Sequence, residues 1–234
     1  MAAAAAGSSD LIIEIGAGPG TLTQRLLQVG RPVLAIEIDP RLAEGLRGRP
    51  DLEVLEADVL HVDLSELIAR RTAGRALLAG NLPYYITSPI LRMIFDAADR
   101  VSAAILLVQR EVAARIAARP GTRDYGYLSV LCQAHSRPEI VFTVPPGAFR
   151  PPPKVTSALV RLPMEAHLEQ WGVKDRQGFL EFAQLCFHQK RKTLLNNLGR
   201  RFGRERVAAL PEARLRAEQL IPEQLATLFL RLRE

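Results

Sequence analysis

The chain has 234 residues, 48% of them hydrophobic, which is enough for one large and one small buried core. Its net charge of +6 favours an anionic partner such as nucleic acid. No apolar run approaches the ~18 residues of a membrane span, no secretory signal begins the chain, and Cys132, Cys186 and four histidines lack disulfide or metal-ligand patterns. A cytoplasmic protein with two buried, reduced thiols is therefore expected.

After a flexible lead at residues 1–9, apolar segments alternate with segments of helical spacing. Five apolar segments have the length and composition of buried strands: 11–15, 33–38, 52–56, 76–80 and 103–109. Helical segments follow them at 21–28, from residue 40, and at 64–71, 89–97 and 111–119. This alternation predicts a parallel sheet covered by helices on both faces.

Beyond residue 119 the order of elements changes. A helix is predicted over 127–135, and strands over 139–144 and 155–162 are joined by the proline-rich loop VPPGAFRPPPK, which indicates a closing hairpin at one sheet edge. From Pro163 onward the pattern is only helical, over 177–198, 205–210 and 222–233, and the leucines of 219–233 are expected to pack in a core. We place a domain boundary within residues 163–173.

A glycine-rich turn separates the first strand from the first helix. Its spacing is E-x-G-x-G-x-G, with Gly16, Gly18 and Gly20, and such a turn lets a ligand approach backbone N–H groups closely. The dinucleotide fingerprint requires a further glycine where this chain has Thr21, so a pyrophosphate site is disfavoured. A tight turn without a ligand remains an alternative.

Two acids follow the next strands. Glu37 ends the second strand, where a carboxylate can accept from both hydroxyls of a ribose, and Asp58 follows the third, where it can accept from an adenine amino group. Either acid alone is typical of a helix cap or a solvated carboxylate. Together with the glycine turn they outline an adenosine pocket at the carboxyl ends of the strands.

The stretch Gly80-Asn81-Leu82-Pro83-Tyr84-Tyr85 follows the fourth strand. Pro83 stiffens the turn, Asn81 offers an amide carbonyl, and Tyr84 offers a ring for a flat partner. These groups suit a planar molecule that carries an amine, such as a nucleobase. The alternative is a strand-to-helix turn in which the asparagine caps and the tyrosine packs.

A basic segment lies in the helical tail. Between Lys190 and Arg206 there are seven lysines or arginines and one glutamate, a net charge of +6. Such a segment suits an anionic partner such as nucleic acid, and a solvated helix face is the alternative.

Together these residues resemble the ribosomal RNA adenine N6,N6-dimethyltransferases, a group of class I S-adenosylmethionine-dependent methyltransferases. The resemblance covers nearly the whole chain, and N-L-P-Y combined with F-x-P-x-P-K-V-x-S is its most specific part. The matching segments are EIGAGPGTLT (14–23), EIDPRL (37–42), ADVL (57–60), GNLPYYITSPIL (80–91), VQREVAARI (108–116), YGYLSVL (125–131), FRPPPKVTSALVRL (149–162) and FHQKRKTLLNNL (187–198).

The resemblance implies a Rossmann-like α/β sheet with an antiparallel closing strand and a small all-helical C-terminal domain. It implies a cofactor-binding catalytic domain at 1–165 and an RNA-binding domain at 166–234. It also implies a cytoplasmic, monomeric enzyme that uses S-adenosylmethionine to dimethylate N6 of two adjacent adenines of small-subunit ribosomal RNA during assembly of the subunit.

The implied roles follow the matching motifs. Cofactor contacts are expected from Gly16, Gly18, Glu37, Asp58 and Asn81. Contacts to the reacting adenine are expected from Asn81, Leu82, Pro83, Tyr84 and Phe149. RNA contacts are expected from Lys190, Arg191, Lys192, Arg200 and Arg201, and no metal is expected.

One departure bears on activity. The family begins with a segment that carries a G-Q-N-F-L motif and helps to cover the cofactor, whereas only MAAAAAGSSD precedes Leu11 here. Weak cofactor binding is therefore expected. The alternatives are a large-subunit RNA adenine methyltransferase, a catalytically impaired RNA-binding assembly factor and a DNA adenine methyltransferase. Leu82 disfavours the last, because that class has a proline at this position.

Overall fold

A computed structural model describes residues 9–233 of the chain, apart from the side chain of Tyr84. The predicted flexible lead falls outside these residues except for Ser9. That residue is buried, and its hydroxyl lies 2.5 Å from the hydroxyl of Ser102, so it does not belong to a flexible segment. No helix in the described part is both long and apolar enough to cross a membrane.

Seven strands form one sheet in the order β3-β2-β1-β4-β5-β7-β6. The strands are β1 Leu11–Ile15, β2 Val33–Glu37, β3 Leu52–Glu56, β4 Ala76–Asn81, β5 Val101–Gln109, β6 Glu139–Val144 and β7 Ser157–Pro163. The first five are parallel, and β7 pairs antiparallel with both β5 and β6. The predicted sheet and its closing hairpin are confirmed.

Buried strands explain the continuous apolar runs in the sequence. Every residue of β1 and β2 is buried, because helices cover both faces of a parallel sheet. At the sheet edge β6 is largely exposed. Two carboxylates, Glu14 in β1 and Glu37 at the end of β2, are buried among these apolar residues.

The helices follow the predicted positions with two exceptions, the predicted helix 177–198 and the short helix His167–Gln170, which lies in the predicted boundary segment 163–173. They are α1 Thr21–Leu27, α2 Pro40–Leu46, α3 Leu64–Ala69, α4 Thr87–Asp96, α5 Arg110–Ile116, α6 Tyr127–His135, α7 His167–Gln170, α8 Arg176–Cys186, α9 Leu194–Phe202, α10 Arg204–Ala208 and α11 Pro222–Arg233. The predicted helix 177–198 is wrong, because the chain turns between α8 and α9. The Asn197 amide donates to the carbonyl of Cys186 at 2.7 Å and so satisfies the end of α8.

The chain divides into two compact units. Among the described residues, one unit holds the sheet, with 9–113 and 137–164, and the other holds 114–136 and 165–233. Residues 114–136 therefore group with the helical tail, which the sequence boundary did not anticipate. In the helical unit Leu220, Leu225, Leu228 and Leu232 are buried, as expected, and so are the free thiols of Cys132 and Cys186, whose pKa values burial raises.

Candidate active site

The glycine turn forms an open cradle at the end of β1. Gly16 and Gly18 have φ values of 71° and 57°, in the left-handed region that favours glycine. A Cβ added at either glycine would meet nothing within 4 Å, so the backbone faces open space. The turn is anchored by the Gly16 N–H, which donates to the carbonyl of Ile36 at 2.9 Å. A ligand can therefore reach the backbone of this turn.

Glu37 ties the end of β2 to this cradle. One carboxylate oxygen accepts from the N–H of Gly18 at 2.7 Å, and the other accepts from the N–H of Asp39 at 3.0 Å. A carboxylate has about four acceptor positions on its two oxygens. Glu37 can therefore hold the loop and still accept from two hydroxyl groups of a ligand.

Glu14 is a buried acid to which the sequence analysis gave no role. Its side chain lies in β1, next to the cradle, and is 1% exposed. Burial raises the pKa of this carboxyl from 4.5 to about 7, and the neighbouring Glu37 carboxylate adds to the increase. One of its oxygens has no hydrogen-bond partner among the described residues. The signal in the sequence was the glutamate that begins the motif E-x-G-x-G-x-G, which is Glu14 itself.

Asp58 caps the short turn after β3. Its carboxylate accepts from the N–H of Leu60 at 2.9 Å and lies 3.0 Å from Nδ1 of His61. The cap and the predicted adenine contact are compatible, because the side chain is partly exposed and keeps free acceptor positions.

Two exposed apolar side chains lie next to these acids. Ile38, directly after Glu37, is 64% exposed, and Leu60, two residues after Asp58, is 38% exposed. The two segments are joined by the Ala57 N–H, which donates to the Glu37 carbonyl at 3.0 Å. These side chains can cover the faces of a planar ring, and the sequence analysis missed both.

Asn81 ends β4 beside the cradle. Gly80 pairs with Ile15 in β1, and a Cβ on Gly80 would lie 2.7 Å from the Ile15 carbonyl oxygen. Only glycine allows this close approach, which brings the start of the turn next to Gly16. Asn81 is exposed, and its amide forms no hydrogen bond with the described residues.

The turn after Asn81 is anchored to the neighbouring strand. The Leu82 N–H donates to the carbonyl of Leu107 in β5 at 3.1 Å, and the Leu82 side chain is buried. Pro83 is exposed, and the predicted stacking ring of Tyr84 lies outside the described part of the structure. Phe149, in the proline-rich loop, is partly buried against the core cluster that includes Ala79 and Leu107, on β4 and β5.

The helical unit carries the predicted RNA contacts. Leu194 and Leu198 bury one side of α9, while Arg200 and Arg201 are exposed, as are Arg191 and Lys192 in the turn before it. None of these four cations has an ion pair within the described residues. Lys190 differs, because its ammonium donates to the carbonyl of Arg123 and lies 3.9 Å from the Glu218 carboxylate.

Comparisons with known proteins show the family to which the chain belongs. A sequence model of the family described as ribosomal RNA adenine dimethylase matches residues 2–234. A protein of Koribacter versatilis named ribosomal RNA small subunit methyltransferase A is 43% identical over 97% of this chain and 86% of its own length. A protein of the same name from Acidobacterium capsulatum is 44% identical over 93% of this chain and 80% of its own length.

Solved structures show the same likeness. A dimethyladenosine transferase from Plasmodium falciparum has a TM-score of 0.78 and 25% identity, over 99% of this chain and 92% of its own. The 23S rRNA methyltransferase ErmE has a TM-score of 0.70 and 30% identity, over 100% of this chain and 95% of its own.

Proposed function

Since the chain belongs to the ribosomal RNA adenine dimethylase family, we propose that it transfers methyl groups from S-adenosylmethionine to N6 of two adjacent adenines in small-subunit ribosomal RNA. The product is N6,N6-dimethyladenosine. The observation that carries the proposal is the close β1–β4 approach at Gly80, which sets Asn81 beside the glycine cradle. A donor held in the cradle and a base held by the turn would then meet.

The residues at the β1–β3 end fit this cofactor. The open backbone of Gly16 and Gly18 leaves room for it, and Glu37 keeps acceptor positions for the ribose hydroxyls. Asp58 suits the adenine amino group, and the exposed Ile38 suits a ring face. When bound, S-adenosylmethionine supplies a methyl group that its sulfonium has already activated.

The turn at Asn81 orients the acceptor. An adenine N6 amine is a poor nucleophile because its lone pair is delocalised into the ring. The Asn81 side-chain carbonyl and the Leu82 backbone carbonyl accept the two N6 hydrogens, which turns the nitrogen toward tetrahedral geometry and directs its lone pair. Positioning of this kind supplies most of the rate for well-oriented reactants. The nitrogen lone pair forms the new bond to the methyl group, and the cationic nitrogen then releases one proton to water. After the first transfer the amine keeps one hydrogen, so the turn can act again.

Aromatic side chains hold the base once it has left its stack. Tyr84 and Phe149 flank the adenine in this proposal, and stacking offsets part of the cost of extrusion at roughly 1–3 kcal/mol per base. Phe149 packs against the core cluster and is only partly buried, which supports this role.

The helical unit holds the RNA. Its basic residues contact phosphates in structured RNA, where shape and backbone matter more than base sequence. These residues are Lys190, Arg191, Lys192, Arg200 and Arg201. We further propose that the enzyme acts as a cytoplasmic monomer on an assembling small subunit.

A second candidate is methylation of large-subunit RNA, which the likeness to the 23S rRNA methyltransferase ErmE favours. The higher identity to small-subunit enzymes, 43–44%, favours the first proposal. Both enzymes would use the same turn and cradle, so the substrate has to be tested directly.

Transfer of labelled methyl from S-adenosylmethionine to unmethylated small-subunit particles tests the proposal. Nucleoside analysis should show dimethyladenosine in the particles and none in naked large-subunit RNA. Dimethyladenosine in the large-subunit RNA alone would favour the second candidate. Absence of transfer to either RNA would contradict both candidates.

A further inference from the structure

Tyr85 has an exposed ring immediately after the Asn81 turn. Its side chain is 86% exposed, more than any other large apolar side chain of the described residues, where Ile38 is next at 64%. It forms no hydrogen bond or ring contact within that part of the chain. An aromatic ring contributes a large free energy when it is buried in an interface. The exposed ring of Tyr85 makes no such contribution within the described part of the chain.

The backbone that carries this ring is held in place. The Ile86 N–H donates to the Pro83 carbonyl at 3.2 Å, and the Thr87 hydroxyl lies 3.4 Å from the same oxygen. Thr87 begins α4, which is anchored by its buried apolar face. The ring of Tyr85 is therefore exposed on a fixed support. Its Cα also lies within ~14 Å of that of Asn81, because it is only four positions further along the chain.

Extrusion of an adenine leaves its neighbour in the RNA without a stacking partner. Single-stranded bases are commonly stacked on exposed aromatic side chains. We propose that Tyr85 stacks on the nucleotide next to the extruded adenine and so replaces the lost base–base contact. This inference rests on the proposed function. Where the two target adenines are adjacent, the base on Tyr85 is the other target.

The ring, rather than the hydroxyl, carries this role. A phenol hydroxyl could instead donate to a phosphate, but a phosphate contact would not require an exposed ring face. The two contacts are distinguished by Tyr85→Phe, which keeps the ring and removes the hydroxyl. Tyr85→Ala removes both.

The test measures kcat and KM for unmethylated small-subunit particles with the wild type, Tyr85→Ala and Tyr85→Phe. We expect the KM of Tyr85→Ala to rise about tenfold, which corresponds to the loss of one stacked base, and that of Tyr85→Phe to stay within about twofold. Phe142→Ala is the matched control, because Phe142 is a half-exposed ring on the edge strand β6. It should leave KM unchanged.

Two further readouts separate stacking from other effects. Calorimetric affinity for S-adenosylmethionine and thermal stability should be equal in all four proteins. In an RNA hairpin with 2-aminopurine beside the target adenine, the wild type and Tyr85→Phe should quench the fluorescence, and Tyr85→Ala should not.

Three results would overturn the inference. An unchanged KM and unchanged quenching in Tyr85→Ala would remove the stacking role while leaving the proposed function intact. An equal loss in Tyr85→Phe and Tyr85→Ala would assign the role to the hydroxyl. A wild-type protein that methylates no RNA would overturn the proposed function, and this inference with it.

Discussion

The β1–β3 end of the site and the turn after β4 differ in how far their polar groups are engaged by the protein. Glu37 accepts two backbone N–H groups, and Asp58 accepts one and lies beside a histidine. Asn81 and Tyr85 have no such partners within the described residues, and both are exposed.

The difference follows from the size of the partner that each region is proposed to hold. A small donor of constant shape is best bound by acceptors that are already fixed, because fixing them on binding would cost entropy. An RNA brings its own donors and ring faces, so its contact groups can remain without protein partners until it arrives. The predictions below test this contrast between engaged and open groups.

Asn81→Ala should have the largest effect. Removal of the amide leaves the N6 amine with only one of its two hydrogen-bond acceptors, so the amine is no longer aligned. A misplacement of this kind can lower kcat by about 10²-fold. Methyl transfer to small-subunit particles measures the loss. Unfolding by urea should be unchanged, because the Asn81 side chain forms no hydrogen bond with the described residues.

The control for Asn81 is Gln24→Ala, which removes an exposed amide from α1. It should retain wild-type turnover. Wild-type turnover in Asn81→Ala would exclude the asparagine from the mechanism.

Glu14→Gln should change how stability depends on pH. The pKa of Glu14 is about 7 in the folded chain, against an ordinary value of 4.5. Between these pH values the folded state keeps a proton that the unfolded state has lost, so stability falls as the pH rises through this window. Between pH 4.5 and 7, the free energy of unfolding of the wild type should fall by up to ~3 kcal/mol more than that of the variant.

Urea unfolding at several pH values measures this difference. Glu44→Gln, an exposed acid on α2, serves as the control and should retain the wild-type slope. Equal slopes for the wild type and Glu14→Gln would show that the buried carboxyl does not titrate in this window.

Glu37→Gln should weaken cofactor binding by roughly 10-fold or more, since a hydrogen bond to a charged group contributes about 1.5–3 kcal/mol. The amide has one acceptor oxygen, so either the Gly18 or the Asp39 N–H loses its partner. Calorimetric titration with S-adenosylmethionine measures the affinity. Glu66→Gln on α3 should bind the cofactor normally, and normal binding by Glu37→Gln would contradict the proposed role.

Lys192→Ala and Lys190→Ala form a matched pair with the smallest expected effect. Lys192 is exposed without an ion pair in the described residues, whereas Lys190 is held by the Arg123 carbonyl and lies near Glu218. Loss of one phosphate contact should reduce the slope of log K against log[salt] by about 0.7–0.9. Filter binding of small-subunit RNA should show this for Lys192→Ala and a smaller change for Lys190→Ala. A larger change in the slope for Lys190→Ala than for Lys192→Ala would contradict the contrast between engaged and open groups.

The sequence predicted the sheet well because strands that are buried on both faces appear in the sequence as continuous apolar runs. The runs in β1, β2 and β4 are apolar at nearly every position, and their ends were correct to within a residue. The α8–α9 turn was not predictable in the same way. The residues between the two helices suit a helix locally, and the amide that satisfies the end of α8 comes from Asn197, eleven residues further along the chain than Cys186.

Part of the candidate site could not be read from the sequence. Ile38 was taken as the last residue of a strand, because a branched apolar residue at the end of an apolar run normally continues it. Its exposure depends on the turn after Glu37, and the raised pKa of Glu14 depends on packing across the sheet. Patterns identify residue types near a site, whereas exposure and titration are properties of the assembled fold.

The close approach at Gly80 has a consequence for the geometry of the reaction. The reacting atoms must lie about 3–3.5 Å apart, a range of roughly 0.5 Å. One added carbon atom needs more space than this range allows. A Cβ at residue 80 would lie 2.7 Å from the Ile15 carbonyl oxygen and would have to force β1 and β4 apart. In the proposed mechanism, the missing Cβ at residue 80 keeps β1 and β4 close together, so the backbone fixes the distance between the proposed donor and acceptor sites before either substrate binds.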